Sequence, residues 1–223
     1  MPYRNQIFTN GEVYHVFNRS IAKQEIFQTK RDYARALRAI EFYRLEGTPC
    51  RFSHFERLSK EGRERFELKE KQLLIVGVEV LAYCLMPNHV HFLLKQKAEN
   101  GISRFMREFQ NSHSKYFNLK NTRTGSLFQA MFKAVRIEDD SQLMHVSRYI
   151  HLNPVTAFMI KPEQLEDYKW SSYPNYMGKN GENTVNIEEI LALFKDSETY
   201  KEFNLDFVDY ERKLAQIKHM VFE

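Results

Sequence analysis

Residues 73–95 carry the pattern that most narrows what this chain can fold into. A run rich in valine, isoleucine and leucine occupies residues 73–85, is interrupted by Met86-Pro87-Asn88, and resumes over residues 89–95. Branched and aromatic residues in runs of this length read as strands, and a short interruption holding a proline reads as a turn. The two runs are expected to lie side by side as antiparallel strands, with the rest of a sheet built around them.

The remaining elements follow from periodicity and punctuation. Residues 12–18 read as a first strand, entered through Asn10-Gly11, and residues 30–42 show helical spacing with Tyr33, Leu37, Ile40 and Phe42 on one side. Residues 48–71, charge-rich from Glu56 onward, read as a surface excursion with room for a short helix. Residues 102–117 form a second amphipathic helix announced by Asn100-Gly101, residues 118–125 a polar loop, and residues 127–137 a fourth strand. Glu138-Asp139-Asp140-Ser141 starts a third helix, expected to run to Asn153 and to be stopped by Pro154. The order is β-α-β-β-α-β-α. Its first six elements give an α+β, ferredoxin-like arrangement, with helices packed on one face of an antiparallel sheet. Residues 1–158 are expected to form this domain. Residues 159–223 are expected to add a small aromatic, mainly helical extension, with one helix over residues 187–194 and another stretch beyond.

Composition bounds the class. With 223 residues, 43% of them hydrophobic, the chain can bury one substantial core. Cys50 and Cys84 lie far apart without metal-like spacing, and residues 1–5 do not resemble a secretory signal, so the thiols read as reduced and the protein as cytoplasmic. No apolar stretch approaches bilayer-spanning length. The net charge of +4 says less than its distribution. Residues 101–136 hold Arg104, Arg107, Lys115, Lys120, Arg123, Lys133 and Arg136 against a single acid, Glu108.

Within the second run of the hairpin, His89 and His91 stand one residue apart. On a strand they project to the same face, while Val90, Phe92 and Leu94 point into the core. Two adjacent imidazoles suit a divalent cation, but an arbitrary H-x-H is more often two half-exposed polar side chains on a sheet face, so the signal needs a partner. A metal centre needs a further oxygen ligand, and covalent phosphoryl transfer needs a nucleophile. The third helix offers both in Tyr149 and Asn153, four residues and one turn apart. Helical tyrosines are more often packing residues, and spacing alone does not favour Tyr149 over Tyr116, which also follows a basic residue.

Six stretches taken in order resemble one family: YHVFNRS (14–20), YCLMPNHVHFLL (83–94), SRFMREF (103–109), GSLFQAMFKA (125–134), SRYIHLNPV (147–155) and YKWSSYPNY (168–176). Together they are similar to the REP-associated tyrosine transposases, relatives of the single-tyrosine transposases of bacterial insertion sequences and a branch of the HUH endonucleases. The resemblance implies a ferredoxin-like core with His89 and His91 as metal ligands, Asn153 as a third, amide ligand, and Tyr149, rather than Tyr116, as the nucleophile. It implies Mg²⁺ or Mn²⁺ as cofactor, no nucleotide cofactor, and single-stranded DNA with a hairpin as partner. Cleavage would leave a 5′-phosphotyrosine and a free 3′ hydroxyl, and rejoining would reverse it. The basic residues Arg104, Arg107, Lys115, Arg123, Lys133 and Arg136 are expected to hold DNA phosphates, and Tyr116 to stack on an unpaired base. Insertion-sequence relatives act as dimers, whereas the C-terminal extension argues for a monomer.

Two departures from the family pattern stand out. Where relatives read G-H-L-W-Q-G-R-F, residues 125–132 read GSLFQAMF, so a histidine and an arginine are replaced by Ser126 and Met131. Asn153 is also a shorter ligand than the glutamine found in relatives. Rival readings are a hairpin-binding regulator that cuts nothing, a nuclease that uses water with Tyr149 as bystander, and an unrelated ferredoxin-like domain whose histidines only pack.

Overall fold

The computed structural model describes residues 7–48, 50–66, 74–179 and 184–208. In chain order these form β1 (Val13–Arg19), α1 (Lys30–Tyr43), β2 (Leu45–Glu46), α2 (Phe52–Phe55), α3 (Lys60–Arg65), β3 (Ile75–Val76), β4 (Val78–Met86) and β5 (His89–Gln96). There follow α4 (Gly101–Lys120), β6 (Lys133–Arg136), α5 (Asp140–Thr156), α6 (Tyr173–Tyr176), α7 (Glu188–Leu191) and α8 (Ser197–Leu205). The main sheet runs β4-β5-β1-β6 and every pairing in it is antiparallel. This is the ferredoxin-like α+β arrangement.

The hairpin at its centre turns on two residues, since Met86 pairs with His89 across Pro87-Asn88. From there β5 alternates. Val90, Phe92 and Leu94 are fully buried, and the Phe92 ring meets Phe105 and Phe109 of α4 edge-on, both at 5.4 Å. Helices α1 and α4 thus cover this face. The opposite face is covered by α5, whose Tyr149 reaches His91 and His15. Coverage on both sides explains why the first run of the hairpin is almost continuously apolar: only Glu79 of β4 escapes burial.

Local chemistry sets the helix ends. Thr29 and Asp32 form a reciprocal capping box at the start of α1, and the Asp139 carboxylate accepts the Gln142 N–H at the start of α5. At the start of α4 a Cβ on Gly101 would strike the Gly77 carbonyl, so glycine is needed where helix and strand backbones touch.

Several boundaries differ from those read in the sequence. The run expected as one strand over residues 73–85 is divided: Leu73 lies outside the described residues, Ile75–Val76 pairs with β2 in a separate two-stranded ribbon, and β4 begins at Val78. The strand expected over residues 127–137 keeps regular pairing only at Lys133–Arg136, with an isolated bridge from Phe128 to Ser20. Pro154 does not stop α5, which continues to Thr156. Proline removes one N–H and crowds one carbonyl a turn earlier, which the last turn of a helix tolerates. The Asn153 side chain donates to the Tyr149 carbonyl at 2.8 Å within that turn. The excursion holds α2 and α3, and its Phe52, Phe55 and Phe66 are buried around Phe42. The helix expected over residues 187–194 is regular only at Glu188–Leu191.

The segment after α5 closes the exposed edge of β4. Leu85 N–H donates to the Trp170 carbonyl, Ser172 N–H to Tyr83, and Asn186 N–H to Val80. An edge strand so covered has no free backbone to pair with another chain. His151 of α5 ties this cover down, with one ring nitrogen 2.7 Å from the Tyr200 hydroxyl and the other 2.7 Å from Ser172 Oγ. No helix among the described residues is long and apolar enough to cross a membrane. Cys50 and Cys84 are both free thiols.

Two buried histidines remote from solvent give the fold a defined acid sensitivity. Desolvation lowers His113 to about 4 and His151 to about 3. An unfolded chain protonates the same rings near 6.5. The folded values lie below the unfolded ones, so the stability these rings contribute is present above pH 6.5 and is lost as pH falls towards 4. The thermal midpoint is expected to drop by roughly 10 °C between pH 7 and pH 5. A midpoint that stays flat across that interval would mean the rings are not held neutral.

Candidate active site

The site begins with strand register. β1 and β5 pair so that Arg19 lies opposite His89 and Phe17 opposite His91. Directly opposed residues share a face, so His15, Phe17 and Arg19 of β1 join His89 and His91 on the side covered by α5. The next strand adds Lys133, opposite Phe17. Cross-strand pairing thus gathers residues from three separate parts of the sequence.

His89 and His91 stand with ring centroids 5.0 Å apart and nearly perpendicular. His91 is buried at 4% exposure, beneath α5, so the two are not simply surface groups. Burial pushes the His89 pKa down to about 4 and that of His91 well below its ordinary value, with the Arg19 cation adding to both shifts. Both rings are therefore neutral near pH 7 and keep a nitrogen lone pair.

Their outer nitrogens are already committed. His89 Nδ1 lies 2.6 Å from Asn88 Oδ1, an atom that can only accept, so the ring proton sits on Nδ1 and the lone pair on Nε2. His89 also hydrogen-bonds the Asn153 side chain of α5. His91 Nδ1 lies 3.0 Å from His15 Nε2. If His91 donates there, its lone pair is on Nε2. Such outer partners fix the orientation of a ligating imidazole.

From α5, Tyr149 and Asn153 approach the same point. The Tyr149 ring stands edge-on to His91 at 5.5 Å and to His15 at 5.9 Å, and the residue is 39% exposed. Asn153 is buried, one turn further on, with its amide nitrogen used by the Tyr149 carbonyl. Its amide oxygen is the atom of this side chain with the chemistry to ligate a cation. Among the described residues no set of three or more His, Cys, Asp or Glu side chains is placed to hold a metal ion. Two neutral imidazoles and one amide oxygen, all uncharged, fit a divalent cation whose charge is kept for a phosphate.

The other residues singled out in the sequence are dispersed. Lys133 is exposed on the Tyr149 side of the sheet. Arg136, opposite Tyr14, is paired with Glu12 at 2.8 Å. Arg104, Arg107, Lys115 and Tyr116 ride on α4, across the sheet from Tyr149. Arg104 is bound to Glu46 at 2.9 Å, Arg107 to Glu108 at 3.2 Å, and the Tyr116 hydroxyl donates to Asp32. Arg123 braces its own loop through Asn118 Oδ1 and the Ser126 carbonyl. Sequence reasoning passed over His15, Arg19 and Asn88. Asn88 is adjacent to the histidine pair, and His15 and Arg19 alternate along a recognisable strand, but their meeting with β5 depends on register.

Residues 54–153, somewhat less than half of the chain, match the family model described as "Transposase IS200 like". Among solved structures, a REP-associated tyrosine transposase bound to a REP hairpin superposes with a TM-score of 0.53 at 14% identity, over 83% of this chain and 98% of that one, a likeness of fold. A Deinococcus radiodurans protein assigned as a transposase aligns with a TM-score of 0.34 at 13% identity over 67% of this chain and 95% of its own, too slight a likeness to inform the fold. No protein of curated function matches the sequence.

The outer partners yield a test. His15→Phe keeps the ring stacking but removes the acceptor for His91, and Asn88→Ala removes the acceptor for His89. Each is expected to weaken Mn²⁺ binding by about 10- to 100-fold in calorimetric titration, with the fold intact. Unchanged affinity in both would separate these residues from the site.

Proposed function

We propose that this protein is a metal-dependent single-strand DNA endonuclease and strand transferase that cuts and rejoins DNA beside hairpins through a covalent 5′-phosphotyrosine. The observation that carries the reading is the convergence of Tyr149 and Asn153 of α5 on the His89–His91 pair of β5. Tyr149, 39% exposed, and three uncharged donors, of which His91 and Asn153 are buried, meet between β5 and α5. The match of residues 54–153 to the IS200-like transposase family model supports it.

The Tyr149 oxygen attacks phosphorus, forming the O–P ester while the bond from phosphorus to the 3′ oxygen breaks. The phenolic proton passes to water on the exposed side, and the departing 3′ oxygen takes up a proton to become a hydroxyl. The ester retains the phosphodiester's bond energy, so attack by another 3′ hydroxyl restores DNA and frees the tyrosine without a nucleotide cofactor. Mg²⁺ or Mn²⁺ held by His89, His91 and Asn153 would supply Lewis acidity to the phosphate and favour the phenolate, whose ordinary pKa is near 10. Asn153 ties the ligand set to the nucleophile, because its amide holds the Tyr149 carbonyl one turn away. Arg19, exposed and opposite His89, offers a cation to the non-bridging oxygens, and Lys133 adds another along the same face. The partner is single-stranded DNA carrying a hairpin, and the working unit a monomer in the cytoplasm.

The test is incubation with labelled single-stranded hairpin DNA, with and without Mn²⁺, followed by denaturing protein electrophoresis. A metal-dependent labelled adduct is expected for the native chain. Tyr149→Phe should lose it by at least about 10³-fold while still binding DNA, and His89→Ala or His91→Ala should lose it to a similar degree. Cleavage without an adduct would identify a nuclease that uses water. Binding without cleavage across several hairpins and metals would identify a regulator.

A further inference from the structure

Across the sheet from Tyr149, the outer surfaces of α1 and α4 and the short helix α2 enclose an open groove of about 1140 Å³. Seven cationic side chains line it against two carboxylates, Glu56 and Glu108, a local excess of +5 in a chain whose net charge is +4. The cations are patterned. Arg31, Arg35 and Arg38 follow the i, i+4, i+7 stripe of α1, and Lys115 lies on the facing stripe of α4, with Arg51 entering from the start of α2.

Both acids are already engaged. Glu56 binds Arg35 at 2.9 Å and Arg38 at 2.8 Å, and Glu108 binds Arg107. Arg31, Arg51 and Lys115 are exposed and have no carboxylate partner among the described residues. At the groove's floor Arg35 is only 6% exposed, and its Nη1 has no hydrogen-bond partner among them. A buried guanidinium with an unused donor is costly to keep unless an acceptor completes it.

The geometry favours charge over base recognition. The Tyr116 ring is stacked against the Arg35 guanidinium at 4.5 Å and its hydroxyl is held by Asp32, so it is not free to stack on a base. This also assigns Tyr116 a different task from the stacking role its sequence position suggested. The stripe on α4 from Arg104 to Leu119 spans about 22 Å, against which a DNA duplex presents about six phosphates per strand.

We propose that this groove is a second nucleic-acid contact, gripping the sugar-phosphate backbone of a duplex stem on the face of the sheet opposite Tyr149. The proposal rests on the reading of the protein as a DNA transferase and extends it: the stem is held behind the sheet while the unpaired flank is cut in front.

The test combines Arg31→Ala, Arg51→Ala and Lys115→Ala in the full chain, at exposed positions that should leave the thermal midpoint unchanged. Affinity is measured for a blunt hairpin without flanks, across a salt series, with adduct formation followed separately on an unstructured strand at saturation. Hairpin affinity is expected to fall at least about 10-fold and the salt slope by about 2 to 3, with adduct yield on the unstructured strand unchanged. Unchanged hairpin affinity and slope would overturn the proposal. So would displacement of the native complex by millimolar inorganic phosphate at constant ionic strength, the mark of a pocket for a single anion. If no DNA yields an adduct with either protein yet the variant still loses hairpin affinity, the groove stands and the Tyr149 chemistry falls.

Discussion

The pairing of β1 with β5 is the constraint on which the rest of this structure depends. Side chains on a strand alternate with a period of two, so a slip of one residue would carry His89 and His91 into the aromatic layer beneath α4 and bring Val90 and Phe92 towards α5. Burial of Val90, Phe92 and Leu94 resists that slip, because each would lose its apolar contacts at once. The hydrophobic core thereby fixes the aim of the polar residues on the other side. The same register brings His15 to His91 and Arg19 to His89, so the support of the site and its outlying charge come with the strand pairing.

The position of α5 is set by a second group of contacts. Its inner side carries His151, held between Tyr200 of α8 and Ser172, while Ser172 also accepts the Tyr83 N–H on the edge of the sheet. The helix that presents Tyr149 is therefore clamped between the sheet and the C-terminal segment. Residues 170–172 both close the open edge of β4 and hold the tyrosine helix against it. Removing that segment would expose a strand edge and loosen the Tyr149 helix together, which gives the extension a physical role in the sheet domain.

Charge is divided between the two faces. On the side of Tyr149 the side chains His89, His91 and Asn153 are uncharged, with Arg19 and Lys133 along their margin. Across the sheet, α1 and α4 gather a larger cationic excess around the buried Arg35. A polyanion that bends, with a paired and an unpaired part, is complementary to such a division.

The sequence by itself determined the order of strands and helices, the hairpin at Pro87-Asn88, the shared face of His89 and His91, and the one-turn relation of Tyr149 to Asn153. These follow from periodicities of 2 and 3.6 residues and from turn chemistry, which act over a few residues. Element ends were less legible: Pro154 proved compatible with a final helical turn, and the fourth strand shrank to the four residues that pair with β1. Only the tertiary structure decided that α5 lies across the sheet from α1 and α4, that His15 and Arg19 meet the histidine pair, and that the basic residues of α4 face away from Tyr149. Those relations depend on which strands become neighbours and in what register, a property of long-range packing. Local sequence carries the vocabulary of the site, but burial on both sides of the sheet determines which of its residues meet.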